Sequence, residues 1–334
     1  MSDQADTLNA APGTRIPVWL DCDVGHDDAM ALILGAYHPD IRLLGVSSVS
    51  GNAPVEKTTE NAIRVIQAAG IAGVKVYKGA AKPLVKQVRH HTKVHGASGL
   101  DGTDLLPRAD YEQYFCADTN AVNAMYAAIM GSSGPVALVA VGPLTNVGLL
   151  LSVYPEVATR IRTLAIMGGI VNMGSNMPSS EFNISSDPEA AHIVFGAGIE
   201  HVALVPLNVT LTVLASHTII ERINSAVPNP RFAKLITDLL GFSASTHAHA
   251  LGKDAGAPLH DPVAMAYLVM RGAFTEKHVR VDVDCVNGKL QCDMQSAQGL
   301  PANCWVATSV ESSRFWTAMM DAYAQASARC RLAE

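Results

Sequence analysis

Apolar, β-branched-rich runs recur through the first two-thirds of the chain, at Ile16–Leu20, Leu43–Val49, Val74–Tyr77, Val136–Val141, Thr163–Met167 and Val202–Leu207. Between them the apolar spacing turns helical. Asp27–Tyr37 is one such stretch. Pro54–Ala69 is a clearer one: it opens on proline, repeats apolar residues at Ala62, Val65, Ile66 and Ala69, and stops at Gly70. Asp187-Pro188-Glu189-Ala190-Ala191 opens another, with an Asp cap, Pro in the first turn and helix formers behind it. Strand–helix alternation of this kind predicts an α/β fold with a mainly parallel central sheet flanked by helices, a Rossmann-like open sheet. Ligands of such sheets bind outside the carboxyl ends of the strands, so functional residues are expected just after strands. Beyond about residue 210 the pattern is helical through Ala215–Leu251. Val279–Cys285 and Lys289–Cys292 read as a late strand pair, and Arg314–Arg329 as a closing helix. No repeat, linker or low-complexity segment divides the chain. The expected organisation is one domain over residues 15–334, preceded by a short flexible lead at 1–14.

Composition narrows the class. The chain has 334 residues, 49% of them hydrophobic and 16% charged, which suits a large buried core and excludes a disordered chain. The net charge of −6, with no basic run, argues against nucleic acid and anionic membranes as partners. No apolar run approaches the ~18 residues needed to span a bilayer, and the N-terminus lacks the apolar centre of a signal peptide. Six cysteines are scattered without a C-x-x-C pair. Free thiols in a reducing, cytoplasmic compartment are the expectation.

The strongest chemical signal is V-W-L-D-C-D-V-G-H-D-D-A at residues 18–29, an apolar strand running into Asp21, Asp23, Asp27 and Asp28. Gly25 permits a sharp turn, and Asp27 or Asp28 is expected to cap the following helix, where the partial positive end favours carboxylates. A cap accounts for one aspartate and leaves three as loop residues. An EF-hand loop fails, because its glycine would fall at the fifth position and Leu32 would occupy the place of the closing glutamate. An aspartate-nucleophile phosphatase, whose D-x-D also follows a first strand, stays open on this stretch alone. So does a site in which carboxylates hold a hard cation such as Ca²⁺ or Mg²⁺, which would relieve their repulsion.

Remote segments bear on the choice. His260-Asp261-Pro262 opens a later helix, with Asp261 either its cap or a further carboxylate for the same ion. Glu181-Phe182-Asn183 precedes the Asp187 helix, and Ser50-Gly51-Asn52 follows the second run. Gly142-Pro143-Leu144-Thr145-Asn146 follows the fourth run and lacks the lysine of a phosphate-binding loop. His90, His91 and His95 have zinc-like spacing without a cysteine or helix to support it.

Nine blocks then occur in order: D-C-D-V-G-H-D-D-A, S-G-N-A-P, V-Y-K-G-A, H-G-A-S-G-L-D-G-T, V-G-P-L-T-N, M-G-G, E-F-N-x-x-x-D-P-E-A-A, V-P-L-N-V-T and H-D-P-V-A. Together they resemble the inosine–uridine preferring nucleoside hydrolase family, and several are most similar to its fungal uridine ribohydrolase branch. The resemblance spans roughly residues 16–270. It implies Ca²⁺-dependent hydrolysis of the N-glycosidic bond of ribonucleosides, with a nucleoside as partner and a homo-oligomer, dimer or tetramer, as the assembly. It implies Asp23, Asp28, Asp261 and the carbonyl of Val141 as metal ligands, with Asp23 also the general base. It places Asp27, Asn52, Met167, Glu181 and Asn183 on the substrate, and His95 and His260 near the base or leaving group. The sugar-binding asparagine after the M-G-G loop falls on Ser175 without a gap, and a one-residue slip gives Asn176, the position expected here. Val24 stands where the family has proline. Asn208 and Asp21 are expected behind the metal aspartates, and His247, His249 or Phe242 either belong to a packed or exposed helix face, the preferred reading, or line the base side.

The implied chemistry suits these residue types. Glycoside cleavage builds positive charge on the sugar, which a carboxylate-rich pocket stabilises. The same resemblance leaves inosine as the alternative substrate. A silent nucleoside-binding protein is the non-enzyme rival, and a silent binder is expected to lack a metal carboxylate, whereas none is missing here.

Overall fold

The computed structural model describes residues 15–171, 180–252, 254–293 and 299–332. Eleven strands are present among them: β1 (Ile16–Cys22), β2 (Ile41–Ser48), β3 (Val76–Lys78), β4 (Val136–Ala140), β5 (Ile161–Met167), β6 (Val202–Val205), β7 (Leu214–Ala215), β8 (Ala257–Pro258), β9 (Phe274–Asp284), β10 (Lys289–Asp293) and β11 (Cys304–Val310). Nine form one sheet in the order β10-β9-β11-β6-β5-β4-β1-β2-β3, and β7 and β8 make a separate antiparallel pair. From β3 to β6 every pairing is parallel, and β11 joins β6 in the same direction. The edge pairs β11–β9 and β9–β10 are antiparallel.

Parallel strands need crossovers, and these helices cover both faces of the sheet. The split is visible in single strands. Val18, Leu20 and Cys22 of β1 face a core shared with α1 (His26–Tyr37) and the helices Pro230–Leu251, Asp261–Tyr267 and Ser312–Arg329. Trp19 faces the opposite core, shared with the helices Ala121–Gly131, Thr145–Val153 and Pro188–Gly196. β4 divides likewise, Ala137 and Val139 to one side and Val136, Leu138 and Ala140 to the other. The strand order reverses between β1 and β4, the crevice where an open sheet binds its ligand.

The expected mainly parallel sheet flanked by helices is what the chain forms, and the late strand pair is present as β9 and β10. The structure corrects several local expectations. Neither Asp27 nor Asp28 caps α1: the cap is Gly25, which has no side chain to offer. Asp28, at the third helical position, accepts from the backbone N–H of Gly25 at 2.8 Å instead. Asp261 is likewise the first residue of its helix, with His260 at the cap position. Asp187 does cap its helix, accepting from Ala190 N–H at 3.1 Å. The stretch Ala215–Leu251 is two helices, His217–Ala226 and Pro230–Leu251, because Pro228 and Pro230 interrupt it and Asn229 caps the second. The apolar pattern does not mark β11, which takes its place between β6 and β9 through pairings distant in sequence. The five cysteines whose side chains are described are free.

Close packing on β1 makes one glycine indispensable. A Cβ on Gly45 would lie 2.5 and 2.7 Å from ring carbons of Trp19, beside a register shift between Val18 and Trp19. Gly45→Ala is expected to destabilise the fold by about 1–3 kcal/mol, the range for overpacking a filled core. Urea denaturation checks this, with the slope unchanged and the midpoint lowered.

Candidate active site

β1 ends at Cys22, and the chain turns through Asp23, Val24 and Gly25 into α1. The turn is held by its own carboxylates. Asp28 accepts from the N–H groups of Asp23 at 3.1 Å and Gly25 at 2.8 Å. Asn52, after β2, donates from its backbone to Asp23 Oδ2 at 2.7 Å. Its side chain donates to the Asp23 carbonyl and to Asp28 Oδ2, both at 3.2 Å. Two glycines make room for the Asp23 carboxylate. A Cβ on Gly51 would collide with Asp23 Oδ2, and one on Gly142 would lie 2.7 Å from Asp23 Oδ1. Asp23 therefore occupies a slot between the loops that follow β2 and β4.

Beside that slot three carboxylates converge. Asp27, Asp28 and Asp261 each offer an oxygen, and these lie within 4.8 Å of one another. All three residues are buried. Asp261 arrives from 233 residues away, and Asp27 Oδ2 accepts from the neighbouring His260 N–H at 3.2 Å. Burial and then the charge of Asp28 push the Asp23 carboxyl well above its usual range. Burial and then Asp27 push Asp261 the same way, and Asp28 is pushed up to about 7. Asp27 keeps a lowered value: burial, the largest influence, works against its charge, but His260, His95, a backbone hydrogen bond and His247 together outweigh it. No Lys or Arg forms an ion pair with any of the four among the described residues. An all-oxygen, anion-rich donor set with no protein counter-charge fits a hard divalent cation.

Asp23, Asp27 and Asp261 line a cavity of about 610 Å³, with Asp28 fully buried beside them. Glu181 and Asn183 form part of its wall. Glu181 Oε1 accepts from Asn183 N–H at 2.6 Å, and Oε2 from Gly169 and Ile184 N–H at 2.8 and 3.0 Å. Asn183 Nδ2 donates to the carbonyls of Val141 at 2.8 Å and Met167 at 3.2 Å. The Val141 carbonyl thus keeps one lone pair for another partner. Asn52, Val141, Met167, Asp23, Asp27 and Asp261 line the same cavity. Of the residues expected here from sequence, Asn176, with Ser175, lies outside the described residues.

Histidines and aromatic rings supply the remaining wall. His95 and His260 both line it and are buried or nearly so, with His260 Nδ1 2.7 Å from Thr210 Oγ1. His247 also lines it and sits 6.2 Å from His260, ring to ring. His91 stacks on Phe182 at 3.7 Å, a ring pair that no sequence pattern singles out. Phe242 does not line the cavity but stacks on His26. The His249 side chain lies outside the described residues. His90, His91 and His95 do not converge on an ion: His90 faces the Gly51 carbonyl and His95 faces His26.

Two expected supports lie elsewhere. Asp21 points to the opposite face of β1, where Ser47 Oγ and Asn146 Nδ2 donate to Oδ1. Among the described residues its Oδ2 is buried without a partner, and burial pushes the carboxyl up to about 7. Asn208 Oδ1 accepts from Val171 N–H at 3.1 Å rather than bracing an aspartate. His26 is the polar residue that sequence reasoning most clearly misses. It stands inside the acidic stretch, but its partners are 69 and 75 residues away, and no local pattern points to them.

The chain is similar to known proteins over nearly all its length. A family profile, inosine-uridine preferring nucleoside hydrolase, matches residues 18–317. The uridine nucleosidase of Saccharomyces cerevisiae is 33% identical, covering 92% of this chain and 96% of its own. The pyrimidine-specific ribonucleoside hydrolase RihA of a Shewanella strain is 37% identical, with the same coverages. Among solved structures, the purine-preferring ribonucleoside hydrolase from Gardnerella vaginalis aligns with a TM-score of 0.83 at 26% identity, over 93% of this chain and 99% of that one.

The buried carboxyls imply a pH-dependent fold. Unfolded aspartate titrates near 3.8, whereas folded Asp21 and Asp28 titrate near 7. These two carboxyls therefore bind more protons in the folded chain between those values, and the stability they contribute falls as pH rises through them. Burial lowers His91 and His95 to about 4 and 3, which acts in the opposite sense, so the contribution of Asp21 is read by difference: in chelator-treated protein the thermal midpoint of the wild type minus that of Asp21→Asn is expected to fall from pH 4 to pH 7. A divalent cation is expected to raise the midpoint, most at the upper end of that window, where the carboxylates are charged.

Proposed function

Because the chain belongs to the inosine-uridine preferring nucleoside hydrolase family, we propose that it cleaves the N-glycosidic bond of ribonucleosides, uridine foremost, releasing ribose and the free base. The observation that carries this reading is the convergence of buried carboxylates, two of which, Asp27 and Asp261, line a cavity together with Asn52, Glu181, Asn183 and histidines. Uridine is placed first because the S. cerevisiae relative is named a uridine nucleosidase and the Shewanella relative is named pyrimidine-specific.

In this reading Asp23, Asp28, Asp261 and the Val141 carbonyl hold Ca²⁺. The grouping of Asp28 with Asp261, completed by Asp27, supports part of this set, and the slot that places Asp23 Oδ1 against Gly142, next to Val141, supports the rest. When bound, the ion would offset the mutual repulsion of the carboxylates and acidify a water. Asp23 is the base that takes the proton of the attacking water, one of its oxygens being fixed by Asn52 N–H and the other turned toward Gly142. Asp27, Asn52, Glu181 and Asn183 orient the ribose hydroxyls, since anionic and amide oxygens match hydroxyl donors. Positive charge developing on the sugar is stabilised by the surrounding carboxylates. His95 and His260 face the departing base. Free thiols agree with a cytoplasmic setting, and a dimer or tetramer is the assembly the family resemblance implies.

Incubation with uridine, inosine, cytidine and a phosphomonoester, reading reducing sugar and phosphate, tests the proposal. Ribose is expected from uridine at the highest kcat/KM, and no phosphate. Absence of ribose from every nucleoside with Ca²⁺ present defeats the reading, and phosphate release would favour an aspartate-nucleophile phosphatase. Asp23→Ala is expected to lower kcat by about 10²–10⁴-fold or more, the usual contribution of a general base. Near-normal turnover would remove Asp23 from that role.

A further inference from the structure

His26 lies behind the cavity wall and touches His95, which lines it. Its Nε2 is 2.8 Å from the backbone carbonyl of Asp101, and its Nδ1 is 3.1 Å from Nδ1 of His95. A carbonyl oxygen only accepts, so the hydrogen in the first contact belongs to His26 Nε2. A neutral imidazole carries one N–H, so His26 Nδ1 is left with a lone pair. The hydrogen in the second contact then belongs to His95 Nδ1. His95 has no other hydrogen to place, and its Nε2 is bare.

We propose that His26 is a positioning residue that relays the polarity of the Asp101 carbonyl to His95, so that His95 meets the nucleoside with an unprotonated Nε2 and accepts a hydrogen bond from a sugar hydroxyl or base N–H. The surroundings fix each link. Phe242 stacks on the His26 ring with centroids 5.0 Å apart and an interplanar angle of 7°. The Asp101 carboxylate accepts from Ala97 N–H at 2.8 Å and Ser98 N–H at 3.0 Å, and Asp101 N–H donates to the His95 carbonyl at 3.2 Å. The loop that supplies the carbonyl is therefore tied to the histidine it orients. Gly25 gives His95 its place, since a Cβ there would collide with His95 Nδ1. Both rings are buried, which favours the neutral imidazoles the relay requires. The consequence for the reaction is directional. His95 enters it as an acceptor that orients substrate, and a proton for the leaving base comes from another group.

The proposal rests on the nucleoside hydrolase reading only for the identity of the substrate; the tautomer of His95 is independent of it. Long-range ¹H–¹⁵N spectra of ¹⁵N-histidine-labelled protein with Ca²⁺ bound, His95 being assigned by loss of its signals in His95→Gln, read that tautomer directly. The wild type is expected to show His95 protonated at Nδ1 and bare at Nε2. The reverse pattern in the wild type overturns the proposal whatever the activity. His26→Phe keeps a ring but neither nitrogen, and is expected to shift His95 toward Nε2–H and to lower kcat/KM for uridine about tenfold or more, as loss of one buried hydrogen bond implies. His26→Gln can donate to Asp101 from its amide nitrogen and accept from His95 at its amide oxygen, and is expected to restore both tautomer and turnover toward wild type. An unchanged tautomer in His26→Phe, or equal losses in His26→Phe and His26→Gln, overturns the relay.

Discussion

Mutual repulsion among buried carboxylates is the constraint on which this structure turns. Asp23, Asp27, Asp28 and Asp261 are all buried, and no lysine or arginine pairs with them among the described residues. Taking one uncompensated carboxylate out of water is costly, and several together cost more. The fold spreads the cost over backbone N–H donors, the Asn52 amide and the Asp23 slot between Gly51 and Gly142. What remains is an affinity for a cation. The same unpaired charge suits a sugar on which positive charge develops.

The sheet explains why this strain is tolerable. The carboxylates lie at the crevice between β1 and β4, where strand order reverses and the loops after adjacent strands diverge. Residues in the strands face dense apolar cores on both sides, whereas Asp23 and Val141, one position beyond the ends of β1 and β4, face a cavity. A shift of two positions changes everything for an aspartate. Asp21, still within β1, is turned into the opposite layer, bonded to Ser47 and Asn146. Asp23, just past the end, belongs to the cavity. Alternation alone would put positions 21 and 23 on one face, so it is the end of β1 at Cys22 and the turn after it that separate two residues alike in the sequence.

Much of the architecture is legible in the amino-acid sequence. The apolar runs mark the order of the strands, Asp187 reads as a cap and is one, and nine motif blocks point to the family that the profile match and relatives bear out. What misleads is local chemistry with a non-local answer. Asp27 and Asp28 look like caps because aspartate commonly caps helices, yet Gly25 holds the cap position and Asp28 reaches back to it. β11 escapes the pattern because its identity as a strand comes from neighbours that the chain supplies at β6 and β9.

The sequence by itself determined the alternation of strands and helices, the family, and the set of residues able to do the chemistry. These follow from short-range periodicity and from motifs whose members are neighbours in the chain. Only the tertiary structure decided which of them meet. Packing of α1 against the helix Asp261–Tyr267 brings Asp261 to Asp27 and Asp28 across 233 residues. The fold of the loop around Asp101 turns a carbonyl toward His26 and so sets the direction of a hydrogen-bond chain that ends on His95. Direction and convergence are properties of distances in space, and a linear pattern carries no record of them.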